Sequence, residues 1–115
     1  MKTKGFEVSL LALGSELESD LARALAPVCS EIHTVESIPA GANVVFCPSN
    51  IDIVKSLRAA DPARTIIVVS RHPEVTDWLD SLESGADDYC AAPFESSQLL
   101  WILQSSRRTT GQLAA

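Results

Sequence analysis

The sequence predicts an α/β domain with a parallel sheet, and two observations support this prediction. Five short apolar segments with strand character alternate along the chain with four segments of helical periodicity. Such alternation favours parallel strands joined by right-handed crossovers, which place helices on both faces of the sheet. At 115 residues the chain has the length of one ordinary domain.

The predicted strands are short and rich in β-branched or other apolar residues. The clearest is "TIIVVS", which follows the turn-like sequence "DPAR". "FEVSLLAL" is nearly continuous in apolar character towards its end, as expected for a strand buried on both faces. The five strands are predicted at 6–13, 31–35, 43–47, 65–70 and 88–91.

The predicted helices begin and end at residues that favour helix termini. Ser15 and Glu18 have the spacing of a capping box, and Asn50 is a predicted N-cap. Pro73 suits the first turn of the third helix, which is expected to stop at Gly85. The helices are predicted from 15 to about 26, at 51–60, from about 73 to 84, and from about 95 to 108.

The connection between the second and third strands is unusually short for parallel neighbours. Only "ESIPAGA" separates them, so a helix there is expected to be absent or reduced to a turn. The small, polar stretch 109–115 is expected to be a flexible tail or a linker stump after a domain at 1–108.

The composition excludes several classes of protein. A formal net charge of -6 disfavours nucleic-acid binding, which needs phosphate-neutralising lysine and arginine. The longest apolar runs are too short to span a bilayer, and we recognise no secretion leader. Three cysteines without a CxxC motif favour reduced thiols in the cytoplasm over disulfides or a zinc site.

The second half of the chain resembles the receiver domains of bacterial response regulators. A serine at the end of the fourth strand (Ser70), the run "GADDY" with Tyr89, and Pro93–Phe94 occupy the places that the family pattern gives them. The resemblance implies a flavodoxin-like, five-stranded doubly wound sheet of order 2-1-3-4-5 and a role in two-component signal transduction. It covers 65–108 well and the first 60 residues weakly.

The chain departs from the family at the residues that carry its chemistry. Receivers accept a phosphoryl group on an aspartate ending the third strand, beside acids that hold Mg²⁺ and a lysine that pairs with the phosphoryl group. Here these positions fall on Ala12 and Leu13 (at the latest Gly14) for the acids, Pro48 (or Cys47) for the acceptor, and Ala92 for the lysine. We therefore expect a degenerate pseudo-receiver, with no enzymatic activity, metal or cofactor.

The switch-like residues of the family are still present. Ser70 is either a remnant of the phosphate-sensing hydroxyl or the polar end of a strand, and Tyr89 is expected to pack in one rotamer.

Other reactive residues leave an alternative open, in which non-standard groups at the strand ends bind a small ligand or accept phosphate. Cys47 and His72 could form a nucleophile–base pair, although a buried core cysteine is the favoured interpretation, and Arg71 could supply a cation. The nearby acids are expected to be solvated groups near helix ends; they are Glu16, Glu18, Asp52, Asp87 and Asp88.

Two tryptophans suggest an interaction surface. Trp78 lies on the flank of the stripe formed by Val75, Leu79 and Leu82, which is expected to face the core. Trp101 is expected to point away from the core, with Ile102 on the flank. We predict that Trp78, Trp101 and Ile102 contribute to homodimerisation or to docking on another signalling protein or output domain.

Overall fold

A single parallel sheet forms the centre of the domain, with its strands in the order β2-β1-β3-β4-β5. The computed structural model describes residues 6–37, 42–71 and 74–105. The strands are β1 (Phe6–Leu11), β2 (Cys29–Val35), β3 (Val44–Pro48), β4 (Thr65–Ser70) and β5 (Asp88–Ala91). The helices are α1 (Ser15–Leu25), α2 (Ile51–Ala60), α3 (Val75–Ser84) and α4 (Ser96–Ser105). The predicted fold class and strand order are confirmed.

The helices form one layer on each face of the sheet. Alternate residues of β4 face the two layers: Ile67 and Val69 pack on the side of α1 and α4, and Ile66 and Val68 pack on the side of α2 and α3. All four of these side chains are fully buried. A strand covered on both faces is therefore apolar at successive positions, as its sequence predicted.

The helix termini agree with the predictions in two of the three cases that the described residues test; the fourth prediction concerns Pro73, which lies outside them. The Asn50 side chain accepts a hydrogen bond from the Ile53 N–H at 3.2 Å, and Gly85 ends α3 with a φ of 125°. The capping box is wrong, because Gly14 occupies the N-cap with a φ of 85° and Ser15 is already helical. No side chain makes a cap hydrogen bond at this terminus.

The connection between β2 and β3 contains no helix in the part that is described, 36–37 and 42–43. Residues 38–41 of the predicted turn lie outside the described residues, as do the predicted end of the last helix at 106–108 and the tail at 109–115. None of the described helices has the length and apolar character of a membrane span.

The third helix is rotated relative to the prediction. Val75 is 68% exposed and Leu79 is 49% exposed, so the expectation that this stripe faces the core is wrong for both residues. Ser81 is buried instead, and Leu82 is half-buried against the α2–α3 side of the core. Because α3 contacts the core through the small residue Ser81, two of the three residues of the stripe remain exposed to solvent.

The prediction that Ile102 lies on the flank of α4 and contributes to an interaction surface is also wrong. Its side chain is only 4% exposed, because Leu99, Ile102 and Leu103 are spaced i, i+3, i+4 and form the face of α4 that packs on the sheet. Leu100 is half-buried.

Candidate functional site

The degenerate phosphorylation-site positions meet at the carboxyl edge of the sheet, where ligands bind in folds of this type. Pro48 is the last residue of β3 and pairs with Val69, and Ser70 is the last residue of β4 and pairs with Ala91. Ala92 follows β5 directly, before the cis peptide bond to Pro93.

The other two positions, Ala12 and Leu13, follow β1. Ala12 is exposed with a φ of 53°, and Leu13 packs against the core on the α1 side. The five positions thus offer one hydroxyl, that of Ser70, and no charged group.

Two acids of α1 close to this edge are paired with an arginine. Arg71, directly after β4, places its Nη2 at 3.1 Å from Asp20 Oδ2 and at 3.9 Å from Glu16 Oε1. Both acids belong to α1, so the pairs connect the end of β4 to the first helix. Arg71 and Glu16 also line an open depression, together with Leu13, Gly14, Ser15 and Leu17. Neither Cys47 nor Ser70 lines it.

The cysteine at this edge is a core residue. Cys47 is fully buried, and burial raises the pKa of its thiol to about 12. Burial and a raised pKa favour the protonated thiol and are typical of structural cysteines. The interpretation of Cys47 as a core residue is therefore confirmed, and His72, its imagined partner, lies outside the described residues.

The switch-like aromatic lies on the α2–α3 side of the sheet. Tyr89 pairs with Val68 of β4 and packs against the core together with Leu82 of α3. Its hydroxyl is buried and has no hydrogen-bond partner among the described residues.

Sequence reasoning missed a polar network at the opposite edge of the sheet, which we call the Arg58–Asp87 network. Asp87, expected to be solvated, has a side chain only 8% exposed. One of its carboxylate oxygens lies 2.8 Å from Arg58 Nη2 and accepts a hydrogen bond from the Ile66 N–H, also at 2.8 Å. The expectation is wrong because Asp87 ends the turn before β5, beside the start of β4.

Arg58 completes this network by binding backbone carbonyls. Its guanidinium donates to Gly85 O at 3.0 and 2.8 Å, to Pro62 O at 3.0 Å and to Arg64 O at 2.7 Å. It therefore joins the turn that precedes β4 to the turn that precedes β5. The signal in the sequence was an arginine close to the turn before β4 and an aspartate in the turn before β5. These two strands are neighbours in the sheet.

Possible metal ligands in the described part of the chain lie elsewhere, on β1 and β2. His33 Nε2 is 3.0 Å from Glu7 Oε2 and 3.3 Å from Glu31 Oε1, and the three ligand atoms lie within 4.8 Å of one another. All three side chains are exposed and already paired. This group does not contact the carboxyl edge, and the sequence analysis did not single it out.

The two tryptophans are exposed, as predicted, at 46% for Trp78 and 64% for Trp101. The helices α3 and α4 that carry them pack on opposite faces of the sheet, whose edge strand on this side is β5. The larger apolar surface is on α3 alone, where Trp78 is flanked by Val75 and Leu79.

This architecture, a five-stranded parallel sheet of order 2-1-3-4-5 between two helical layers, is the fold of response-regulator receiver domains. The receiver domain of DrrB from Thermotoga maritima, solved in its BeF3-activated form, superposes with a TM-score of 0.71. It is 16% identical and covers 90% of this chain and 97% of its own. At that identity, the likeness establishes the fold.

Curated relatives add evidence at the level of sequence. Response regulator protein PmrA of Pseudomonas aeruginosa is 34% identical over 65 residues, which are 56% of this chain and 29% of the relative. Transcriptional regulatory protein PrrA of Mycobacterium tuberculosis is 34% identical over 64 residues, 56% of this chain and 28% of the relative. This chain thus spans less than a third of their length. No protein-family model matches it. The relatives and the structural neighbours together support a relationship between this chain and the response-regulator receiver family.

Proposed function

We propose that this domain is a pseudo-receiver, a module of a bacterial signalling protein that binds other proteins without being phosphorylated and catalyses no reaction. The observation that carries the proposal is the chemistry of the carboxyl edge. Transfer of a phosphoryl group to an aspartate needs an acceptor carboxylate, carboxylate ligands for Mg²⁺ and a cation on the phosphoryl oxygens. Ala12, Leu13, Pro48 and Ala92 supply none of these groups.

The ion pairs of Arg71 support the same conclusion. Two α1 acids close to the edge, Glu16 and Asp20, already face a guanidinium. A divalent cation binding there would compete with that positive charge, and receiver chemistry depends on such a cation.

The exposed apolar side chains support a role in binding. A tryptophan that stands in solvent is a residue type enriched among interface hot spots, and clustered apolar residues at a protein surface mark contact sites. Val75, Trp78 and Leu79 form such a cluster, and Trp101 adds a separate exposed ring. The partner is either a second copy of the domain or another signalling protein or output domain.

Phosphorylation is tested by incubating the protein with acetyl phosphate and Mg²⁺ and recording its intact mass. A conventional receiver, treated in parallel, shows that the donor is active. We expect the control to gain a phosphoryl group and this domain to remain unmodified. Beryllofluoride should leave its tryptophan fluorescence unchanged. A phosphoryl adduct would refute the proposal, and peptide mapping would then locate the acceptor.

The interaction role is tested by light scattering coupled to size exclusion, and by binding to the output domain of the parent protein. Trp101→Asp and Val75→Asp place a charge on α4 and α3 respectively. Ser19→Asp is the matched control, because Ser19 is an exposed polar residue of α1, outside both α3 and α4. We expect one of the first two variants to abolish a dimer or a complex that Ser19→Asp preserves. Interaction unchanged in all three variants would contradict this surface assignment.

A further inference from the structure

The apolar surface of α3 is continuous along one side of the helix. Val75, Trp78 and Leu79 are spaced i, i+3, i+4, so that their side chains are neighbours. They are 68%, 46% and 49% exposed, which is unusual for three large apolar residues on a single helical turn. We call this group the α3 apolar face.

Acidic residues surround the α3 apolar face. Glu74, the N-cap of α3, directly precedes Val75, and Glu83 follows Leu79 by four residues, so a carboxylate lies at each end of the face. Asp77 and Asp80 bring the acids between 74 and 84 to four, and that stretch contains no lysine, arginine or histidine. None of the four acids forms an ion pair with a described residue.

This charge pattern distinguishes between possible occupants. In a symmetric dimer the same surface would meet itself, and the acids of one α3 would approach those of the other. Like charges across an interface are destabilising, and the chain as a whole carries a net charge of -6. A partner with apolar residues flanked by lysine or arginine would instead match both parts of the surface.

We propose that the α3 apolar face binds a basic amphipathic segment of a different protein and not a second copy of this chain. The inference rests on the proposed interaction function and specifies its partner. The apolar residues of the segment would bury Val75, Trp78 and Leu79, and its cations would approach Glu74 and Glu83. An amphipathic helix placing its apolar side on an exposed apolar surface is a recurring mode of recognition.

The chain contains two tryptophans, so Trp101→Phe leaves Trp78 as the only tryptophan reporter. The probes are two synthetic amphipathic peptides with the same leucine face, one with lysine and one with glutamate at the polar positions. We expect a saturable change in Trp78 fluorescence with the lysine peptide and none with the glutamate peptide. Added NaCl should weaken binding, as screening predicts.

Charge variants separate a specific surface from general attraction to an acidic protein. Glu74→Gln combined with Glu83→Gln removes from α3 the two charges assigned to the partner's cations, and Glu16→Gln combined with Glu18→Gln removes two from α1. Each exposed charge pair contributes about a factor of 1.5 to 5 in affinity. We therefore expect the α3 pair to weaken binding by about fivefold and the α1 pair to change it by less than twofold. Equal weakening by both pairs would overturn the inference.

Two further outcomes distinguish this inference from the function on which it rests. If neither peptide binds, and a dimer is found that Val75→Asp disrupts, the basic partner is wrong while the interaction function stands. If acetyl phosphate modifies the domain, the pseudo-receiver function fails, whether or not the lysine peptide binds. Binding of both peptides with the same affinity would also overturn the assignment of a basic partner.

Discussion

Replacing Arg58 by alanine is the strongest single test of how this fold is held together. The substitution removes the guanidinium from the Arg58–Asp87 network, in which it donates to the carbonyls of four residues and pairs with the Asp87 carboxylate. Alanine preserves the helical propensity of α2, so the effect reports the network and not the helix.

The expected cost follows from burial. Breaking a buried ion pair by removing one partner costs about 3–5 kcal/mol, because the other charge remains buried without compensation. The side chains of Arg58 and Asp87 are 18% and 8% exposed, so some water can reach the vacated space. We therefore expect a loss of about 3 kcal/mol in the free energy of unfolding, or roughly 12 °C in Tm for a domain of this size.

The assay is urea unfolding followed by circular dichroism, with Lys55→Ala as the matched control. Lys55 is an exposed residue of the same helix, and its replacement should change stability by less than about 0.5 kcal/mol. In an Asp87→Asn background, Arg58→Ala should cost about 1–2 kcal/mol less than in the wild type, since the buried charge has already gone. Equal stability of the Arg58→Ala and Lys55→Ala variants would refute the reasoning.

Three other predictions concern the helix caps, the glycines and the buried thiol. Asn50→Ala should cost about 1 kcal/mol in urea unfolding and Ser15→Ala almost nothing, because only Asn50 makes a cap hydrogen bond. Gly85→Ala should cost about 1 kcal/mol more than Gly14→Ala. Both glycines have a positive φ, but only at Gly85 would a new Cβ crowd another side chain, at 3.0 Å from Cγ and 3.1 Å from Cβ of Arg58. Burial raises the pKa of Cys47 from 9.0 to about 12, so above pH 9 only the unfolded thiol ionises. This thiol alone should then lower the free energy of unfolding by up to about 1.4 kcal/mol per pH unit, in addition to the contributions of Cys29 and Cys90, whose pKa values are also raised. Cys47→Ala should remove its share of the slope in urea titrations at about pH 8 to 10.5.

Most of the fold could be predicted because it depends on patterns that are local in the sequence. The β-branched run of β4 and the turn residues on either side of it identify a central strand before any contact is known. The cap at Asn50 and the stop at Gly85 were predictable for the same reason.

The errors arose where tertiary packing decides. Val75 and Leu79 have helical periodicity, but that pattern does not say which part of the stripe meets the sheet. Ile102 was misplaced in the same way, because the core-facing side of α4 is set by its contact with α1 and the sheet. Asp87 was misjudged because its partner Arg58 is distant in the chain and close only in the fold.

The sequence predicted which charged groups are missing from the candidate site, but it did not predict the ion pairs that form beside it. The positions of Ala12, Pro48 and Ala92 followed from the resemblance to receiver domains, and the structure places all three at the same edge. The pairing of Arg71 with Asp20 could not be foreseen, since it depends on where α1 packs relative to the end of β4.

The short connection between β2 and β3 has a consequence for solubility. No described residue of that connection forms a helix that could cover β1 and β2, and β2 is also an edge strand of the sheet. An uncovered edge is a template for pairing with another chain, and charged side chains are a common protection against it. Glu7, Glu31 and His33 stand exposed on this side of the sheet, where they oppose stacking and edge-to-edge aggregation. Apolar substitutions among these three residues would thus endanger the soluble state of the protein more than its folding.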